Sequence, residues 1–133
     1  MTDSEAIPTD LIIFGDFSCP FSALASHRAA VLEIRDATTV EWRAVQHLPT
    51  QPLDGERVEG ELGEMYMREL EQIRSLLLDS EEFPLKVPPV QPNTGLATAG
   101  FAATDPDKRL PVRQRLFEAF WFDGRDIGDP HVL

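Results

Sequence analysis

The chain of 133 residues holds one cysteine, Cys19, in the stretch Asp16-Phe17-Ser18-Cys19-Pro20-Phe21-Ser22. A thiolate is a strong nucleophile, and the chemistry a lone thiol can do is exchange with a disulfide through a mixed-disulfide intermediate. One cysteine builds neither an internal disulfide nor a sulfur-rich zinc site, so any disulfide it forms is with another molecule. Ser22, three residues on, has two readings: a first-turn hydroxyl bonded to local backbone, or a donor to the Cys19 thiolate. Asp16 works against reactivity, because a nearby carboxylate disfavours ionisation of a thiol, and no histidine occupies the two positions after Cys19 to oppose it. Cys19 also has a plainer reading as a small buried hydrophobe.

The elements that must position these residues follow from periodicity. Asp10 to Phe14 is a short apolar run bounded by Asp and Gly, the pattern of a buried strand. From Phe21 onward Leu24, Ala25, Ala29 and Leu32 recur at helical spacing, so a helix is expected over Pro20 to Arg35, with Pro20 in its first turn. Cys19 then lies at or beside the N-cap, where free N–H groups and the helix dipole favour an anion such as a thiolate. Val40 to Val45 alternates as a second strand, and a crossover of this length makes the two strands parallel.

Downstream, Gln46 to Gly60 has the Pro, Gly and Asp content of a linker. A second helix is expected from near Val58 or Glu61, with Leu62, Tyr66, Leu70, Ile73 and Leu77 on one face and Glu64, Arg68, Glu71, Gln72 and Arg74 solvated. Glu81 to Pro92 carries four prolines and reads as loop. Asn93 or Thr94 caps a third helix to about Ala103, and a fourth runs from about Leu110 to Phe122, with Pro111 early and Gly124 just past its end. Its Leu116, Phe117, Phe120 and Trp121 form an apolar stripe read as core. Ile127 to Leu133 reads as the approach to a fifth helix, with Asp129 as N-cap. His27, His47 and His131 fall in a helix, the linker and the C-terminal turn, without metal-site spacing, and read as surface or satisfied side chains.

A net charge of −11 opposes binding to nucleic acid and to anionic membrane surfaces. The 42% hydrophobic content argues against disorder, and no apolar run approaches the roughly 18 residues of a membrane helix. Residues 1–9 read as a disordered tail with no secretory signal, so the expectation is a soluble, cytoplasmic domain.

Three stretches resemble the DsbA-like thioredoxin-fold family, and within it the bacterial FrnE-type members. They are the stretch around Cys19, then Pro92-Asn93-Thr94, then Leu116-Phe117-Glu118-Ala119-Phe120 with Gly124-Arg125-Asp126-Ile127-Gly128-Asp129. The resemblance implies an α/β fold: a thioredoxin-like βαβ unit over 10–57 and a helical insertion over 58–133. It implies a thiol-disulfide oxidoreductase with Cys19 as nucleophile and Ser22 standing where dithiol members have a second cysteine. Pro20, Phe21 and Asp16 would shape that site. The partner would be a thiol or disulfide, protein or glutathione, with no tightly bound cofactor. The family's cis-proline loop, last strands and closing helix are not found before Leu133, so the chain is expected to be cut short. Its first strand, apolar and normally interior, would then keep an open edge, and that edge and the stripe of the fourth helix would lead to self-association.

Two other readings stand beside this one. Ser18 to Ala25 also resembles the kappa-class glutathione transferase and hydroxychromene-carboxylate isomerase group, where a group at this helix N-terminus acts on bound glutathione. A non-catalytic module that binds a partner by the strand edge or the helical insertion is the third.

Overall fold

Leu11-Ile12-Ile13-Phe14-Gly15 forms the first strand, β1 (Leu11–Gly15), of a computed structural model that describes residues 9–133. Residues 1–8 of the expected tail lie outside the described residues. A 16-residue helix, α1 (Pro20–Arg35), returns the chain to a second strand, β2 (Val40–Ala44). The two strands are parallel, with Ile13 opposite Trp42 and Gly15 opposite Ala44, so this βαβ unit matches the periodicity.

Gly15 is required by packing. A Cβ there would stand 2.4 Å from the Trp42 ring, which lies buried across the end of β1.

Two further elements were unread in the sequence. A two-residue strand, β3 (Glu56–Arg57), lies inside the expected linker, and another, β4 (Val90–Gln91), inside the proline-rich loop. They pair antiparallel, Glu56 opposite Gln91. Gly55, at φ 78°, lets β4 approach, since a Cβ on it would fall 2.7 Å from the Gln91 carbonyl oxygen. Two residues are too few to show a period, and pairing with a distant segment leaves no local signal.

Helix α2 (Gly60–Leu76) buries Tyr66, Leu70 and Ile73, the face expected of it. Helix α3 (Gly95–Ala102) follows, and a single 3₁₀ turn (Pro106–Lys108) leads into α4 (Arg109–Trp121). Asp129 accepts the His131 N–H through Oδ1 at 2.8 Å, but the last residues form only turns, not a fifth helix.

The core joins the two halves. Phe17, two residues before Cys19, is fully buried against Phe101 of α3 and Phe117 of α4, with ring centroids 5.9 and 4.9 Å away. Arg113 of α4 is 2% exposed. Its Nε donates to Ser26 Oγ at 2.9 Å, its Nη2 to Glu33 Oε1 at 2.6 Å, and its guanidinium lies 5.1 Å from the centre of the Trp42 ring. A buried cation so paired and bonded holds α4 against α1 in one register.

Two expectations are corrected. The α4 stripe is not left open, because Phe117, Phe120 and Trp121 are all buried in the core. Nor is β1 the buried strand its apolar run suggested: Leu11, Ile12 and Phe14 are 40, 51 and 62% exposed. It pairs only with β2 among the described residues, which leaves the open edge that was expected. No helix of the described residues is long and apolar enough to cross a membrane.

Candidate functional site

Parallel pairing brings the C-terminal ends of β1 and β2 side by side, and the segments leaving them build the site. Gly15 C=O accepts the Val45 N–H at 2.9 Å, so the chain after β1 and the chain after β2 leave together. The first enters a tight turn in which Cys19 N–H donates to Asp16 C=O at 3.1 Å. Cys19 is the N-cap residue of α1, with extended backbone (φ −101°, ψ 124°), and its carbonyl accepts the Ala23 N–H at 3.0 Å. Pro20 occupies the first helical turn, where its missing N–H costs no hydrogen bond. The Cys19 side chain makes no capping bond and is partly exposed.

Asp16 is 3% exposed and its carboxylate is fully occupied. Oδ1 accepts Ser18 N–H and Ser18 O–H, both at 2.9 Å. Oδ2 accepts the backbone N–H of His47 at 2.9 Å and also meets His47 Nδ1. Because a carboxylate only accepts, Nδ1 is the donor in this contact. Asp16 is therefore committed to the turn and to His47.

Ser22 Oγ accepts the Asp16 N–H at 3.2 Å. Of its two open readings, this is the bond to local backbone, and it leaves the hydroxyl proton available to donate. Pro20 lines the cleft next to Cys19, whereas Phe21 lies partly exposed outside its lining.

That cleft, of about 360 Å³, is walled by Cys19, Ser18, Pro20 and His47 on one side and by Tyr66 and Glu69 of α2 on the other, with Glu56 and Gln91 from the small sheet. Tyr66 is 1% exposed. Burial pushes its hydroxyl up from the ordinary tyrosine range, and the negative charges of Glu69, Asp16, Cys19 and Glu56 push it further. It thus stays a hydrogen-bond donor. Burial also raises the Glu69 carboxyl, against the lowering effect of His47 and Arg68.

A polar network sets the position of the His47 segment. Asn93 Oδ1 accepts Gln46 Nε2–H at 3.0 Å and Gly95 N–H at 2.9 Å, while Asn93 Nδ2 donates to Gln51 C=O at 2.7 Å. Gln51 Nε2 donates to Gln91 C=O at 2.9 Å. Gly128 packs on the same point, for a Cβ there would lie 2.9 Å from the Asn93 carbonyl oxygen. Trp121 Nε1 donates to Phe17 C=O at 3.1 Å beneath the Cys19 turn. The three stretches singled out in the sequence therefore meet around one site.

His47, Tyr66 and Glu69 were missed. His47 was read as a surface or satisfied histidine, yet it lies three residues beyond the C-terminal end of a parallel strand, where site residues of α/β sheets collect. That rule could have flagged it. Tyr66 was taken only as core, and Glu69 sits three residues on, on the same side of α2.

A model of the DSBA-like thioredoxin domain matches residues 10–133. No curated protein and no solved structure matches the chain.

Proposed function

The chain belongs to the DSBA-like thioredoxin domain family, and from that premise we propose that it is a FrnE-type thiol-disulfide oxidoreductase with Cys19 as the nucleophile of a monothiol site. The observation that carries this reading is Cys19 as N-cap of α1, opening onto a cleft with no capping bond to occupy its sulfur. In the forward step the Cys19 thiolate attacks one sulfur of a substrate disulfide. A Cys19–S–S–R bond forms, the other sulfur leaves as a thiolate, and it takes up a proton. A second thiol, such as glutathione in a cytoplasmic setting, then attacks the mixed disulfide and regenerates Cys19.

In this reading residues 10–57 supply the nucleophile and the Asp16–His47 pair, and the helical part over 58–133 supplies the facing wall of Tyr66 and Glu69. Ser22, Pro20, Phe21 and Asp16 shape the turn, with Ser22 in the place of a resolving cysteine.

The test is incubation with oxidised glutathione followed by intact mass. We expect a single adduct that reduced glutathione reverses and that Cys19→Ser abolishes. Reversible glutathione binding by calorimetry without an adduct would instead favour the kappa-class transferase or isomerase reading. Neither adduct nor binding would leave a non-catalytic module.

A further inference from the structure

The walls around Cys19 differ sharply in charge from an anion-binding site. Glu69 and Glu56 line the cleft, and no lysine or arginine is among its described lining residues. Arg68 precedes Glu69 in sequence but is exposed and outside the lining. The basic side chain that is present, His47, is engaged by the buried carboxylate of Asp16. Tyr66 adds a second kind of observation. Its side chain is 1% exposed and lines the cleft, its hydroxyl has no hydrogen-bond partner among the described residues, and burial together with the carboxylates of Glu69, Asp16 and Glu56 keeps that hydroxyl protonated. An anion entering would meet like charges across the cleft.

We propose that this cleft selects thiols and disulfides whose groups next to sulfur are cationic, amine-bearing and not carboxylate-bearing, with Glu69 and Glu56 as the receiving charges and the Tyr66 hydroxyl oxygen as a hydrogen-bond acceptor. This rests on the exchange reading of Cys19 and adds the substrate class to it. The step is a balanced exchange. The Cys19 thiolate attacks an aminoalkyl disulfide, the new sulfur–sulfur bond replaces the old one, and the released aminothiolate takes a proton from water. Cys19 is oxidised and the departing sulfur reduced. It follows that glutathione, with its net negative charge, is a poorer substrate here than an amine-bearing disulfide.

The full chain is mixed separately with cystamine, with uncharged 2-hydroxyethyl disulfide and with dithiodiglycolate, and adduct formation at Cys19 is followed by intact mass. Rates are divided by those of 2-mercaptoethanol, a thiol with no charged substituent, under the same conditions, which removes the reagents' own reactivity. We expect cystamine to exceed dithiodiglycolate by roughly tenfold or more at low ionic strength, with the neutral reagent between and the ratio shrinking in high salt. Glu69→Gln with Glu56→Gln should bring the ratio close to one. Glu61→Gln with Glu71→Gln, which removes the same charge from residues outside the cleft lining, should leave most of it. Equal normalised rates in the unmodified chain, or an equal loss in both double variants, overturns the charge selection while leaving exchange at Cys19 intact. No adduct with any of the three reagents overturns the exchange reading and this proposal with it.

Discussion

Arg28 and Glu81 show what a single well-made pair does. The guanidinium grips both carboxylate oxygens, at 3.1 and 2.8 Å, and also donates to Leu76 C=O at 2.7 Å, tying α1 to the chain leaving α2. The Arg28 hydrogen bond first, and the Leu78 N–H second, hold the Glu81 carboxyl well below the usual range, at about 2. A depressed folded-state value stabilises the fold above the unfolded value of about 4.3 and loses that contribution as pH falls toward 2. Thermal melts between pH 5 and 2 should therefore show a steeper fall for the unmodified chain than for Glu81→Gln, whose melting temperature is already lower at pH 6. Parallel curves would contradict this. At this scale the sequence was informative where chemistry is local: Cys19, Pro20 and the cap position are neighbours along the chain. It was silent about His47, whose partner Asp16 is 31 residues away and whose pairing depends on two strands lying side by side.

Among the elements, the segment between β2 and α2 has no regular structure of its own over most of its length, so its place is set by side chains, above all Asn93. Replacing Asn93 with alanine removes three hydrogen bonds and leaves the Gln46 amide and the Gln51 carbonyl without that partner. We expect a loss of about 1–3 kcal/mol in urea unfolding, and a changed rate of Cys19 alkylation, since His47 lies between Gln46 and Gln51. Wild-type stability and alkylation would show that the network does not fix the wall. The long elements were legible because many residues repeat one period: α1 has its expected ends, and α2 and α4 lie within one or two residues of theirs. The small sheet was not, because its two-residue strands offer no period and Pro88 and Pro92 around β4 argue locally for loop.

For the molecule as a whole, the parallel pair leaves one edge of β1 without a partner among the described residues, and Ile12 and Phe14 stand on the face away from buried Trp42. Such an edge is a template for pairing with another chain. We expect concentration-dependent association by sedimentation velocity, weakened by Phe14→Lys, with ANS fluorescence falling in step. A strictly monomeric chain that binds no ANS would show that the Arg43 side chain, 5.5 Å from the Phe14 ring, shields the edge sufficiently. The apolar composition of β1 identified it as a strand but not which of its faces would be covered, because coverage depends on where the helices land. The same limit made the α4 stripe look vulnerable when α4 in fact closes the core.

The hydrogen bond from Trp121 to Phe17 gives the protein an optical gauge. The indole is buried, and the carbonyl it holds lies two residues from Cys19, so a covalent change at that sulfur would be seen as light emitted elsewhere. Of the chain's two tryptophans, Trp42 packs under β1 and should serve as a steady background. A mixed disulfide that displaces the turn should lengthen the Trp121 bond and change the emission maximum or intensity, at the rate at which the adduct mass appears. Trp121→Phe should erase that signal, and a full adduct with an unchanged spectrum would mean the turn is rigid enough to carry its cargo without flinching.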